Sequence, residues 1–113
     1  MSRYLDLFVS EAKQHLQEAE QEIARLGAGT SDAEGINALY RHFHSLKGMA
    51  ASMGFQEIAR LSHAIEDLFD EIRKEPARGS LPGISDLVIQ GLDVIASLVS
   101  SASPPPSIGC ARR

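Results

Sequence analysis

The segment Arg41-His42-Phe43-His44-Ser45-Leu46-Lys47-Gly48 gathers two imidazoles, an amine and a glycine inside an otherwise helical apolar pattern. An imidazole can serve as a nucleophile, a proton carrier or a metal ligand. At roughly 100° per residue, His44 falls about 120° from the centre of the apolar face, on an exposed margin. Lys47 lies three residues on and shares that side of the helix, where an ammonium could counter the charge of an arriving phosphoryl group. Gly48 lies four residues on, next to His44 along the surface. A helical glycine costs about 1 kcal/mol relative to alanine. It either leaves clearance for a bulky partner to reach the imidazole, or serves close helix packing, or is simply tolerated. A metal site is disfavoured. His42 and His44 diverge by about 200° on a helix and cannot chelate one ion, and neither an HExxH arrangement nor a cysteine pair is present.

A second cluster, Ser62-His63-Ala64-Ile65-Glu66-Asp67, lies beyond Gly54. If the segments on either side of Gly54 form an antiparallel helical hairpin, His44 and Glu66 lie ten and twelve residues from the turn, and so at about the same height. A carboxylate beside an imidazole can accept the N–H of one ring nitrogen. That fixes the tautomer and leaves the other nitrogen with its lone pair outward, as a nucleophile requires. Taken singly, each residue also has a plain reading as a solvated surface group, and His15 and His42 are assigned only that one. Met49 and Met53 read as core or margin filler.

These groups need helices to position them. The first is expected from about Arg3 to Leu26, with Leu5, Phe8, Val9, Ala12, Leu16, Ala19, Ile23 and Leu26 inward. Gly27-Ala28-Gly29 stops it. Ser31-Asp32-Ala33-Glu34 resembles a capping box opening the second helix, whose inner face carries Ile36, Leu39, Tyr40, Phe43, Leu46, Ala50 and Met53. The third starts near Phe55 or Gln56, turns Phe55, Ile58, Leu61, Ile65, Leu68, Phe69 and Ile72 inward, and ends at Pro76 and Gly79. The fourth places Ile84, Leu87, Val88, Leu92, Ile95, Leu98 and Val99 inward. Short connections imply an all-α, antiparallel up-down four-helix bundle. This domain is expected over residues 1–100. Residues 101–113, Ser/Pro-rich and without helical period, read as a linker or disordered tail.

Bulk properties narrow the function. The chain's 113 residues suffice for one domain. The net charge of −4 argues against a nucleic-acid binder. No run of 18 or more apolar residues suggests a membrane span. The single cysteine, Cys110, cannot form an internal disulfide, which fits a reducing, cytoplasmic setting. No strand followed by a glycine-rich phosphate loop is expected, so any phosphoryl group must be supplied by another protein.

His44-Ser45-Leu46-Lys47-Gly48, then Met53-Gly54-Phe55, then Leu61-Ser62-His63-Ala64-Ile65-Glu66-Asp67-Leu68, resembles the histidine phosphotransfer (HPt) domain, and most of all the N-terminal P1 domain of CheA-type chemotaxis kinases. Phe8, Glu11 and Leu16 fit the opening helix of that family, and the resemblance covers about residues 3–100. It implies that His44 is phosphorylated, that Lys47 lies near the phosphoryl group and that Gly48 keeps the histidine accessible. It further implies that Glu66 bonds the other ring nitrogen and that His63 is a supporting polar residue. The implied donor is a CheA-like kinase ATP-binding domain, and the implied acceptor is an aspartate on a CheY-like response-regulator receiver domain. The domain itself would be no enzyme and would bind no cofactor, since ATP and magnesium belong to the partner domains, and in isolation it is expected to be a monomer. Arg41, Ala51 and Ser52 are expected to meet the partner. Ser45 stands where the family often has threonine. The proline run after Ser103 argues against the fifth helix that often follows. The alternative is a helical-bundle adaptor that is never phosphorylated.

Overall fold

The computed structural model describes residues 2–29, 32–75 and 83–102. Among them are four helices, α1 (Ser2–Gly27), α2 (Ala33–Met53), α3 (Gln56–Lys74) and α4 (Ile84–Ala102), and no strand. Helices consecutive in the chain pack on each other and α4 returns to α1, closing an up-down bundle with the α2–α3 interface the largest.

The core follows the expected spacing. Phe8, Ala12, Leu16, Ala19 and Ile23 of α1 meet Leu39, Phe43, Leu46 and Ala50 of α2, Ile58, Ile65, Phe69 and Ile72 of α3, and Val88, Leu92, Ile95 and Val99 of α4. Phe43 and Phe69 stack across the α2–α3 seam with ring centroids 6.1 Å apart. These rings clamp together the two helices that carry the chemistry-bearing residues.

The α2–α3 turn is set by Gly54 at φ 82°, a left-handed conformation that a side chain would strain. The Gly54 N–H donates to the Ala51 carbonyl at 3.1 Å, and the Phe55 N–H donates to that of Ala50 at 2.9 Å. This paired closure of a helix end is the Schellman arrangement. Phe55 then packs on Phe8 at 5.1 Å, fastening the turn to α1. At the other end of α2 the cap is Asp32, whose Oδ1 accepts the Gly35 N–H at 2.9 Å. The cap is thus one residue later than a box led by Ser31, which lies outside the described residues.

Two expectations differ from the structure. Leu87 is 59% exposed, not inward. The buried stripe of α4 runs 88, 92, 95, 99, and Leu87 is rotated off it by one residue, in line with exposed Val94 a heptad later. Helix α4 also continues through Ser101 to Ala102, beyond the expected boundary at residue 100, because serine and alanine do not stop a helix and the first proline comes only at 104. The Pro76–Gly79 stop and the tail from residue 103 lie outside the described residues. By length and a hydropathy of 1.4, α4 is also apolar enough to cross a membrane. Its buried stripe nonetheless forms one wall of the bundle, and Leu87, Ile89 and Val94 on its outer side raise the average.

Candidate functional site

The α2–α3 seam brings His44 and Glu66 together. His44 Nδ1 lies 2.6 Å from Glu66 Oε2. The histidine side chain is 60% exposed and the glutamate side chain 5%. A carboxylate only accepts hydrogen bonds, so in the neutral ring Nδ1 carries the proton and donates it to Glu66. The lone pair then resides on Nε2, on a ring open to solvent. Lys47 Nζ sits 2.7 Å from the other carboxylate oxygen, Oε1. Glu66 therefore lies between an imidazole and an ammonium, both delivered by one turn of α2.

This arrangement answers the cost of burying a carboxylate, which is high unless the charge is paired. Burial pushes the Glu66 carboxyl upward, but the bonds from Lys47 and His44 together outweigh it and leave the group below its ordinary value. The hydrogen bond to Glu66 in turn raises Lys47, against a smaller opposing effect of desolvation. Glu66 is thus a fixed negative charge at the base of the His44 ring. Ser62, one turn earlier on α3, is fully buried, and its hydroxyl has no partner among the described residues.

Gly48 is exposed, and a Cβ built on it would meet nothing within 4 Å. Packing inside the domain therefore makes no demand for glycine here, and the close-packing reading falls away. Arg41, Ala51 and Ser52 are exposed on the same helix. His63 stands apart from the cluster: its Nε2 pairs with Asp67 at 3.6 Å along α3, and no bond links it to His44 or Glu66 among the described residues. A direct supporting contact from His63 is absent from this arrangement. The His63 ring and the Asp67 carboxylate are both exposed.

Three features were not legible as part of a site. His42 leaves α2 on a different side from His44 and meets His15 of α1, Nδ1 to Nδ1 at 2.9 Å, with Glu18 Oε1 3.5 Å from its Nε2. A surface reading of these two histidines misses that they bridge α1 and α2. Tyr40, assigned to the core, lies parallel to the His44 ring with centroids 6.0 Å apart and planes 16° apart. Its position four residues before His44 was the available signal. Arg73 of α3 covers the Tyr40 ring at 3.9 Å, a contact between helices that no local spacing reveals.

Comparison with known proteins identifies the family of the chain. The chain matches the Hpt domain family over residues 3–98. It is 33% identical over 101 residues to the chemotaxis protein CheA of Bacillus subtilis, covering 89% of this chain and 15% of that protein. It is 41% identical over 69 residues to CheA of Listeria monocytogenes, covering 61% of this chain and 11% of that protein. The chain thus spans a small fraction of the curated relatives it matches. Among solved structures, the CheA phosphotransferase domain from Thermotoga maritima superposes with a TM-score of 0.75 at 34% identity, covering 87% of this chain and 92% of that one. A bundle of this form, matched along nearly its whole length by that phosphotransferase domain, belongs to the Hpt domain family as a phosphotransfer domain of the CheA type.

Proposed function

We propose that His44 of this chain accepts a phosphoryl group from a CheA-like kinase ATP-binding domain and hands it to an aspartate of a response-regulator receiver domain. The observation that carries this reading is the 2.6 Å contact between His44 Nδ1 and buried Glu66, on a ring that is otherwise exposed. In the first step the Nε2 lone pair forms a bond to the γ-phosphorus of ATP held by the kinase domain. The bond from that phosphorus to the bridging oxygen breaks, and ADP leaves. Glu66 keeps the Nδ1 proton in place and stabilises the positive charge that develops on the ring. Lys47, already at Glu66 Oε1, lies one turn from His44 and presents its ammonium to the incoming phosphoryl oxygens. In the second step a receiver carboxylate oxygen attacks phosphorus, the N–P bond breaks and its electron pair returns to Nε2.

On this reading the domain is a carrier and not an enzyme by itself. ATP, and the magnesium used at the receiver, belong to the partner domains. The exposed strip Arg41, Gly48, Ala51 and Ser52 is the approach for both partners, with His63 at its margin on α3. The isolated domain acts as a monomer, in the cytoplasm, where kinase and receiver meet.

The test is phosphorylation by ATP and a CheA-type kinase core, followed by intact mass. Wild type should gain one acid-labile phosphate, and His44→Gln should gain none while keeping its helical circular dichroism, since an exposed side chain contributes little to stability. A folded His44→Gln protein that still takes up the acid-labile phosphate overturns the assignment. A folded wild type that takes none from several kinase cores leaves the unphosphorylated adaptor as the better account.

A further inference from the structure

The bond to Glu66 holds His44 at one atom only. A single hydrogen bond fixes a direction, and the ring can still turn about it. An exposed imidazole then spends part of its time with Nε2 misdirected. A second contact, on the face of the ring, is needed to hold its plane.

Tyr40 supplies that face. Helical side chains lean back over the preceding turn, so the His44 ring is carried over Tyr40, four residues earlier. The two rings are 16° from parallel with centroids 6.0 Å apart, within the range of aromatic pairs. Tyr40 is itself held. The Arg73 guanidinium carbon lies 3.9 Å from its ring centroid, a cation–π contact. Arg73 is anchored by Asp70 Oδ1 at 2.6 Å, and Asp70 also pairs with Lys74 at 3.1 Å. Those bonds, led by the one from Arg73, keep the Asp70 carboxyl below its ordinary value, so the anchor stays charged. Measured from the α2–α3 turn, Arg73 lies farther out than Tyr40, and Tyr40 farther out than His44. The aromatic ring thus contacts both the cation and the imidazole.

We infer that Tyr40, braced by Arg73, is a positioning residue that fixes the plane of the His44 ring so that Nε2 faces the phosphoryl donor. This rests on the reading of His44 as the phosphoryl acceptor. The phenol oxygen has no part in it, so phenylalanine should serve as well as tyrosine, and alanine should not. Arg73 acts only through Tyr40, and its loss should matter less.

The experiment compares wild type, Tyr40→Phe, Tyr40→Ala and Arg73→Leu with two donors: phosphoramidate, and ATP with a CheA-type kinase core. With phosphoramidate, Nε2 forms a bond to phosphorus, the P–N bond of the reagent breaks and ammonia leaves, so no protein partner is involved. The His44 ring nitrogens are read in parallel by nitrogen-15 NMR of the unphosphorylated domain. Tyr40→Phe should match wild type. Tyr40→Ala should lose about tenfold in rate with both donors, as displacement of a reacting group costs, and its His44 signals should move toward a mixture of tautomers. Arg73→Leu should lose about twofold. Wild-type rate with phosphoramidate and unchanged ring signals in folded Tyr40→Ala overturn the inference. A loss confined to the kinase donor also overturns it, because that makes Tyr40 a docking contact. If wild type takes phosphate from neither donor, the phosphotransfer reading fails instead, and the ring signals alone decide whether Tyr40 orients His44.

Discussion

At the residue scale, His44 and Gly48 are best understood together. Gly48 lowers helix stability and nothing inside the domain requires it, since an added methyl group would stand in open space. Gly48→Ala should therefore stabilise the domain by about 1 kcal/mol, read as a rise in the urea midpoint. The same methyl group would stand beside His44, where the proposed function has a partner approach, so transfer from the kinase core should slow. Transfer from phosphoramidate, which needs no docking surface, should stay near the wild-type rate. A variant that is more stable and equally fast with both donors would remove clearance as the reason for the glycine. This pattern differs from that expected for Tyr40→Ala, which should slow with both donors, and the two variants separate access to the ring from its orientation.

At the element scale, the notable contact joins α1 to α2 on the side away from the His44 cluster. With Nδ1 of His15 and Nδ1 of His42 2.9 Å apart, one ring donates its proton and the other accepts, so both cannot be protonated there. His42 is held below its usual value of 6.5, first by partial burial and then by His15, with Arg41 adding to the effect and Glu18 and Glu22 opposing it. The folded state therefore favours the neutral ring, and the unfolded chain takes up the proton first. The stability this contributes is complete above about pH 6.5 and drains away as the pH falls below it. Urea unfolding should show a lower midpoint at about pH 5.5 than at about pH 7.5, and His42→Gln should flatten that slope. An unchanged slope in the variant would place the acid sensitivity elsewhere. The corresponding loss from Glu66, whose carboxyl lies below its ordinary value of 4.5, sets in only at lower pH, so the two effects occupy different windows.

At the scale of the whole molecule, the bundle closes where α4 meets α3 and α1. A Cβ on Gly91 would come within 2.9 Å of Ile65 Cδ1, so glycine lets these two helices approach. Gly91→Val should force them apart and destabilise the domain by about 2 kcal/mol in urea unfolding, the usual cost of overpacking. Gly91→Ala should be milder, because the clash is with the movable end of an isoleucine and alanine is the better helix former. A wild-type urea midpoint in Gly91→Val would mean that the α3–α4 contact is slack. Because Ile65 precedes Glu66 on α3, a displaced α3 should also reach the His44 cluster.

The four helices, most of their inward faces, the turn at Gly54 and the exposure of His44 were all legible in the amino-acid order. Helical period and glycine placement are local properties, set by residues three or four apart. The meeting of His44 with Glu66 was legible too, because a tight turn between antiparallel helices converts distance from Gly54 into height. What the order of residues left open were contacts whose partners come from different helices and depend on how those helices are rotated against each other. Gly48 and Gly91 look alike as glycines inside helical patterns, yet one faces solvent and the other faces Ile65. His15 and His42 look like surface residues, yet they bridge α1 and α2. Leu87 looks like core, but the rotation of α4 turns it outward. The bracing of Tyr40 by Arg73 is of the same kind. The chain alone determined which groups lie on which helix and at what height, and only tertiary packing decided which way each helix turned and therefore which side chains met.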